Sequence, residues 1–147
     1  MRGPLWLVSL ILVWGAAVPA RAGADSDILT KFGLIGSWAI DCHAPPSLAN
    51  PYQTFVPSNE GQPTRQLIVG NPDYDRMEPL SDVILIAADR LRLSFPQNGI
   101  NVTVVLVKDK GRIRPLESAT SNGQTVVSGG VVQRNGQETS WLEKCPG

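Results

Sequence analysis

The chain reads as an all-β protein: a small antiparallel meander β-barrel of eight or nine strands, preceded by a short helical turn and closed by a Cys42–Cys145 disulfide. Three observations predict this. The string Ser37-Trp38-Ala39-Ile40-Asp41-Cys42 returns near the other end as Ser140-Trp141-Leu142-Glu143-Lys144-Cys145, and the two copies hold both cysteines of the chain. Asn98-Gly99, Asn122-Gly123 and Asn135-Gly136 supply the dipeptide that most readily takes positive φ at both centres of a tight hairpin turn. Between them lie short β-branched or alternating segments, with turns every ten to thirteen residues or so, the rhythm of a meander.

The first residues set the compartment. Arg2, an apolar run over 5–13 and small residues at Ala16, Ala17, Ala20 and Ala22 form a secretory signal over residues 1–22. Cleavage is expected at Ala20-Arg21-Ala22, or next at Ala22-Gly23-Ala24. The run is shorter than the roughly 20 apolar residues that span a bilayer, and Pro19 and Arg21 close it. The expected location is periplasmic or secreted, in a bacterium, with no membrane span after cleavage. Residues 23–147 then form a single β-barrel domain, too short for two cores.

Removing Arg2 and Arg21 leaves 11 basic against 13 acidic residues. A nearly neutral chain with scattered bases argues against nucleic acid and against anionic membrane surfaces. Two thiols in an exported chain favour a bridge, and the single His43 does not complete a four-ligand zinc site.

Within the domain, Asp25 or Ser26 caps a helical turn over 25–32, which Gly33 ends. The first strand covers 34–41. His43-Ala44-Pro45-Pro46-Ser47 follows as a loop whose prolines donate no ladder bonds. Strands over 52–56 and 64–69 come next, and 70–81 reads as a loop without period. Further strands follow over 83–86, 91–95, 100–107, 113–120, 126–132 and 139–142. In Arg90-Leu91-Arg92-Leu93-Ser94-Phe95 the leucines and Phe95 point inward and the arginines outward. Gly129-Gly130 is expected to be a bulge inside its strand. With nine strands the first and last would run parallel, setting Trp38 beside Trp141. With eight they would run antiparallel and the bridge would form outside their ladder. The matched Ser-Trp-x-x-x-Cys spacing favours the parallel arrangement.

Gly36-Ser37-Trp38, opening the first strand after a helical turn, resembles the Gly-x-Trp signature of lipocalin-like barrels. That resemblance implies a Trp closing the barrel's base and a small apolar ligand inside. It also implies an Arg near the last strand lying over the Trp, where this chain reads Thr139-Ser140-Trp141-Leu142-Glu143-Lys144. The cysteine near each end resembles the layout of periplasmic lysozyme inhibitors, but their inhibitory Ser-Gly-x-Lys/Arg-Tyr loop is absent here: the nearest string, Ser128-Gly129-Gly130-Val131, lacks both the base and the aromatic. From Phe32 to Cys145 the chain resembles a group of uncharacterised small exported proteins of Gram-negative bacteria, which brings no activity with it.

No catalytic motif is present. His43 lacks a Ser-His-Asp or Cys-His spacing and reads as an exposed loop residue. Asp73, Asp75 and Glu78 lack the Gly and distal Glu of a calcium loop and read as solvated. Arg90, Arg92, Arg112 and Arg114 are expected on one outer face. The expected function is a non-enzymatic exported binding module for a small apolar or amphipathic ligand. Trp38, Phe55, Phe95, Leu106 and Trp141 would line its interior, and no cofactor or metal is expected. The alternative is a module that binds a periplasmic protein, such as an enzyme inhibitor, through the loops 43–52 and 70–81.

Overall fold

The computed structural model describes residues 21–147. The expected secretion signal lies outside them, except for positions 21 and 22, which open the helix. Helix α1 (Arg21–Phe32) leads into strands β1 (Gly36–Ala39), β2 (Tyr52–Val56), β3 (Thr64–Ile68), β4 (Arg76–Pro79), β5 (Ser81–Ala87), β6 (Arg90–Gln97), β7 (Ile100–Asp109), β8 (Arg112–Thr120), β9 (Thr125–Ser128), β10 (Val131–Val132) and β11 (Leu142–Lys144). All pairings are antiparallel, and nine strands form the hydrogen-bonded path β4-β3-β2-β1-β11-β8-β7-β6-β5.

The two ends of that path are consecutive in sequence. Only Leu80, fully buried, separates β4 from β5. One bent segment therefore pairs with β3 through its first half and with β6 through its second, which nearly closes the barrel. The strand count is nine when the halves are counted apart, yet they make one stave. With an even number of staves β1 and β11 meet antiparallel, Trp38 opposite Lys144 and Ala39 opposite Glu143. The expected parallel pairing is thus overturned. The disulfide forms outside the ladder, between Cys42 beyond β1 and Cys145 beyond β11, with Cα atoms 5.3 Å apart.

Helix α1 is longer than the expected turn and packs into the core. Its Leu29 and Phe32, with Leu34 after it, join one core cluster with buried side chains of the strands. The Lys108 ammonium reaches the Phe32 carbonyl at 2.6 Å, a cation placed where the helix leaves acceptors unsatisfied. Ser26 does not cap the helix. Its buried hydroxyl donates to the Ser58 carbonyl and accepts from the Ser58 N–H, both at 2.9 Å, tying α1 to the β2–β3 connection.

The turns at 98–99 and 110–111 follow the local sequence, whereas at Asn122-Gly123 and Asn135-Gly136 only the glycine takes positive φ. Asn98 and Gly99 take φ of 51° and 79° between β6 and β7, and Lys110-Gly111 makes the same kind of turn between β7 and β8. Gly129-Gly130 is not a bulge: it reverses the chain between β9 and β10, a hairpin off the main path. The stretch 70–81, expected to be all loop, contains β4 and the first residue of β5.

Candidate functional site

The register lines up Phe55, Arg65 and Glu78 across β2, β3 and β4. Directly opposed residues share a face, and here that face is the interior. Arg65 Nη1 meets Glu78 Oε2 at 2.6 Å, with side chains 11% and 6% exposed. Arg65 Nε donates to Gln53 Oε1 at 3.0 Å, and the guanidinium lies 4.4 Å from the Phe95 ring centroid. Burial lowers the Arg65 pKa, and the Glu78 charge and hydrogen bond oppose that shift. Each charge has the other as its partner, and Arg65 has Gln53 and Phe95 besides, so the pair is compensated inside the barrel. The period of Thr64-Arg65-Gln66-Leu67 could have placed Arg65 inward, but Glu78 sat in a stretch with no readable period.

Four of the five nominated interior residues are where the alternation puts them. Trp38, Phe55, Phe95 and Leu106 are all buried and belong to one cluster. Trp38 Nε1 donates to the Leu34 carbonyl at 2.7 Å. Lys144 of the last strand lies over the Trp38 ring, 5.7 Å from its centroid, where the sequence offers no Arg. Trp141 is the correction. Its neighbour Leu142 points inward opposite Ile113, so Trp141 faces out, half-buried, with Arg112 at 5.1 Å and Arg114 at 4.7 Å from its ring. Antiparallel pairing explains this, because it breaks the equivalence that the matched spacing suggested.

The loops 42–51 and 70–75 join β1 to β2 and β3 to β4, and in a meander such loops emerge at the same end. The first is held by a buried side chain. Asn50 Nδ2 donates to the Asp41 and Ala44 carbonyls at 2.9 and 3.2 Å, and its Oδ1 accepts the Asp41 N–H at 3.0 Å. The Tyr52 hydroxyl bonds the Cys42 and Ala44 carbonyls, and the disulfide ties the base to β11. Ser47 and Asn50 exchange backbone bonds of 3.1 Å, which lifts Leu48 to the tip at 73% exposure.

The second loop is a turn organised by Asn71. Its carbonyl accepts from Tyr74 and Asp75, and its side chain accepts the Asp73 N–H. Asp75 Oδ1 takes the Val69 N–H at 2.7 Å. Glu78 turns inward to Arg65, so the three acids considered for calcium do not converge. The loops touch where Gly70 lies against the Pro46 carbonyl. Leu48, Tyr74 at 50% and Met77 at 66% are three of the most exposed large apolar side chains described, all on or beside this pair.

His43 is exposed, and its N–H donates to Asp41 Oδ1. An open depression of about 390 Å³ also lies on the β9–β10 hairpin, walled largely by exposed side chains such as Gln124 and Arg134. Comparison of the chain with protein-family models, curated proteins and solved structures finds no match.

Proposed function

We propose that this chain is an exported, non-enzymatic binding module whose working surface is the joined pair of loops 42–51 and 70–75, and that its partner is a protein. The observation that carries the reading is the contact of Gly70 with Pro46, which merges two internally braced loops into one pre-formed surface. Ordering costs already met in the free protein need not be met on binding. Leu48, Tyr74 and Met77 stand out from that surface, and aromatic residues and Met are enriched in the cores of protein interfaces.

The small-ligand alternative draws on the Gly-x-Trp opening. Against it, Trp38, Phe55, Phe95 and Leu106 pack into one cluster together with side chains of α1. A barrel of this size is either filled by side chains or holds one small ligand, and this packing favours filling.

The test is affinity capture from periplasmic extract, with the protein immobilised through its C-terminus. A protein retained by the parent and by Arg92→Ala, and lost with Leu48→Asp or Tyr74→Ala, is the expected result. Retention undiminished by both loop variants would overturn the assignment. Both loop side chains are at least half exposed, so the substitutions leave the core alone.

A further inference from the structure

All three Asn-Gly dipeptides are exposed, but the hydrogen bonds around them differ. At Asn122-Gly123 the glycine N–H donates to the Thr120 carbonyl at 2.9 Å, and the Asn122 side-chain oxygen accepts from the Thr120 hydroxyl. At Asn135-Gly136 the glycine N–H donates to the Val132 carbonyl at 2.8 Å. The Asn135 side chain is held twice, its Oδ1 accepting the Gln137 N–H and its Nδ2 donating to Gln137 Oε1, both at 3.1 Å. Asn98-Gly99 has none of these ties. Among the described residues neither the Gly99 N–H nor the Asn98 side-chain amide has a hydrogen-bond partner. A Cβ built on Gly99 would meet nothing within 4 Å, so the space around its nitrogen is open as well.

We infer that Asn98 is a modification site, the first of the three Asn-Gly asparagines to deamidate. The reaction needs two groups that are both free here. The Gly99 backbone nitrogen, its proton taken by hydroxide, forms a bond to the Asn98 side-chain carbonyl carbon. The bond from that carbon to Nδ2 breaks, and Nδ2, protonated by water, leaves as ammonia. One water then opens the five-membered succinimide at either of its carbonyls, leaving aspartate or isoaspartate. A glycine nitrogen suits the first step because no side chain crowds its approach. At the other two sites hydrogen bonds on both reacting groups must break before the ring can close, which slows them. The product bears on the fold, because isoaspartate adds one main-chain carbon to a two-residue turn whose flanks, Gln97 and Ile100, are paired. Either product also places a carboxylate there.

Peptide mapping by mass spectrometry of the full chain, kept folded at mildly alkaline pH and sampled over time, tests this. The peptide holding Asn98 should gain aspartate and isoaspartate about tenfold faster than those holding Asn122 or Asn135. The same comparison on reduced protein in concentrated urea, where all three sites lose their folded surroundings, should remove that lead. Conversion at Asn122 or Asn135 as fast as at Asn98 in the folded protein, no conversion at Asn98, aspartate there without isoaspartate, or an undiminished lead in urea would each overturn the assignment.

Discussion

A Cβ built on Gly70 lies 2.7 Å from the carbonyl oxygen of Pro46, closer than side-chain carbons pack, and Gly70 holds φ at +72°. The two loops can be this close only because position 70 has no side chain. Gly70→Ala should therefore cost about 2 to 3 kcal/mol, combining left-handed backbone strain with the clash. Gly99→Ala is the control. Its φ is +79° with open space around it, so only strain applies, at roughly 1 kcal/mol. Urea midpoints of the two variants should separate by the difference, and equal midpoints would mean the loops are not in contact.

The ion pair inside the barrel gives a second expectation. Arg65→Met leaves Glu78 buried without its partner, which typically costs about 3 to 5 kcal/mol. Arg65→Met/Glu78→Leu removes both charges and should recover most of that loss. Denaturant unfolding of the parent, both single variants and the double variant measures the coupling directly. Additive losses would place the two side chains apart.

The disulfide closes a loop with a sequence separation of 103. In the chain-entropy account a loop of that length contributes about 4 to 5 kcal/mol. Cys42→Ser/Cys145→Ser should lose a corresponding amount, read from unfolding midpoints without reductant. Peptide mapping of unreduced protein should recover the two cysteines in one linked fragment.

The two tryptophans of the domain should differ in accessibility. Trp38 is 2% exposed and hydrogen-bonded to Leu34, whereas Trp141 is half-buried on the outer wall. With Trp6 and Trp14 changed to Phe, acrylamide should quench the Trp38→Phe protein more strongly than the Trp141→Phe protein. Equal quenching would contradict the outward placement of Trp141.

The elements that were legible in the sequence are those whose cause is local. Strand β2 needed only its own residues and the prolines that flank it. The β6–β7 hairpin followed from Asn98-Gly99 and from the alternation of Leu91, Leu93 and Phe95. The same alternation put Arg90 and Arg92 outside. The loop surface was half legible: prolines marked both segments and acids the second, but nothing in them showed that Gly70 would rest on Pro46.

Local chemistry in the sequence sufficed for the β class, the β6–β7 hairpin, the inward positions of Trp38, Phe55, Phe95 and Leu106 and the pairing of the two cysteines. The bend at Leu80, by which one segment serves two neighbours, arises only in the assembled barrel. The same is true of β1 and β11 meeting antiparallel, Trp141 ending outside, and Arg65 finding Glu78 in the interior. The physical reason is range. Turn dihedrals and side-chain alternation are set by adjacent residues, whereas closure and register are set by contacts between residues far apart in the chain, whose energies only the assembled barrel brings together.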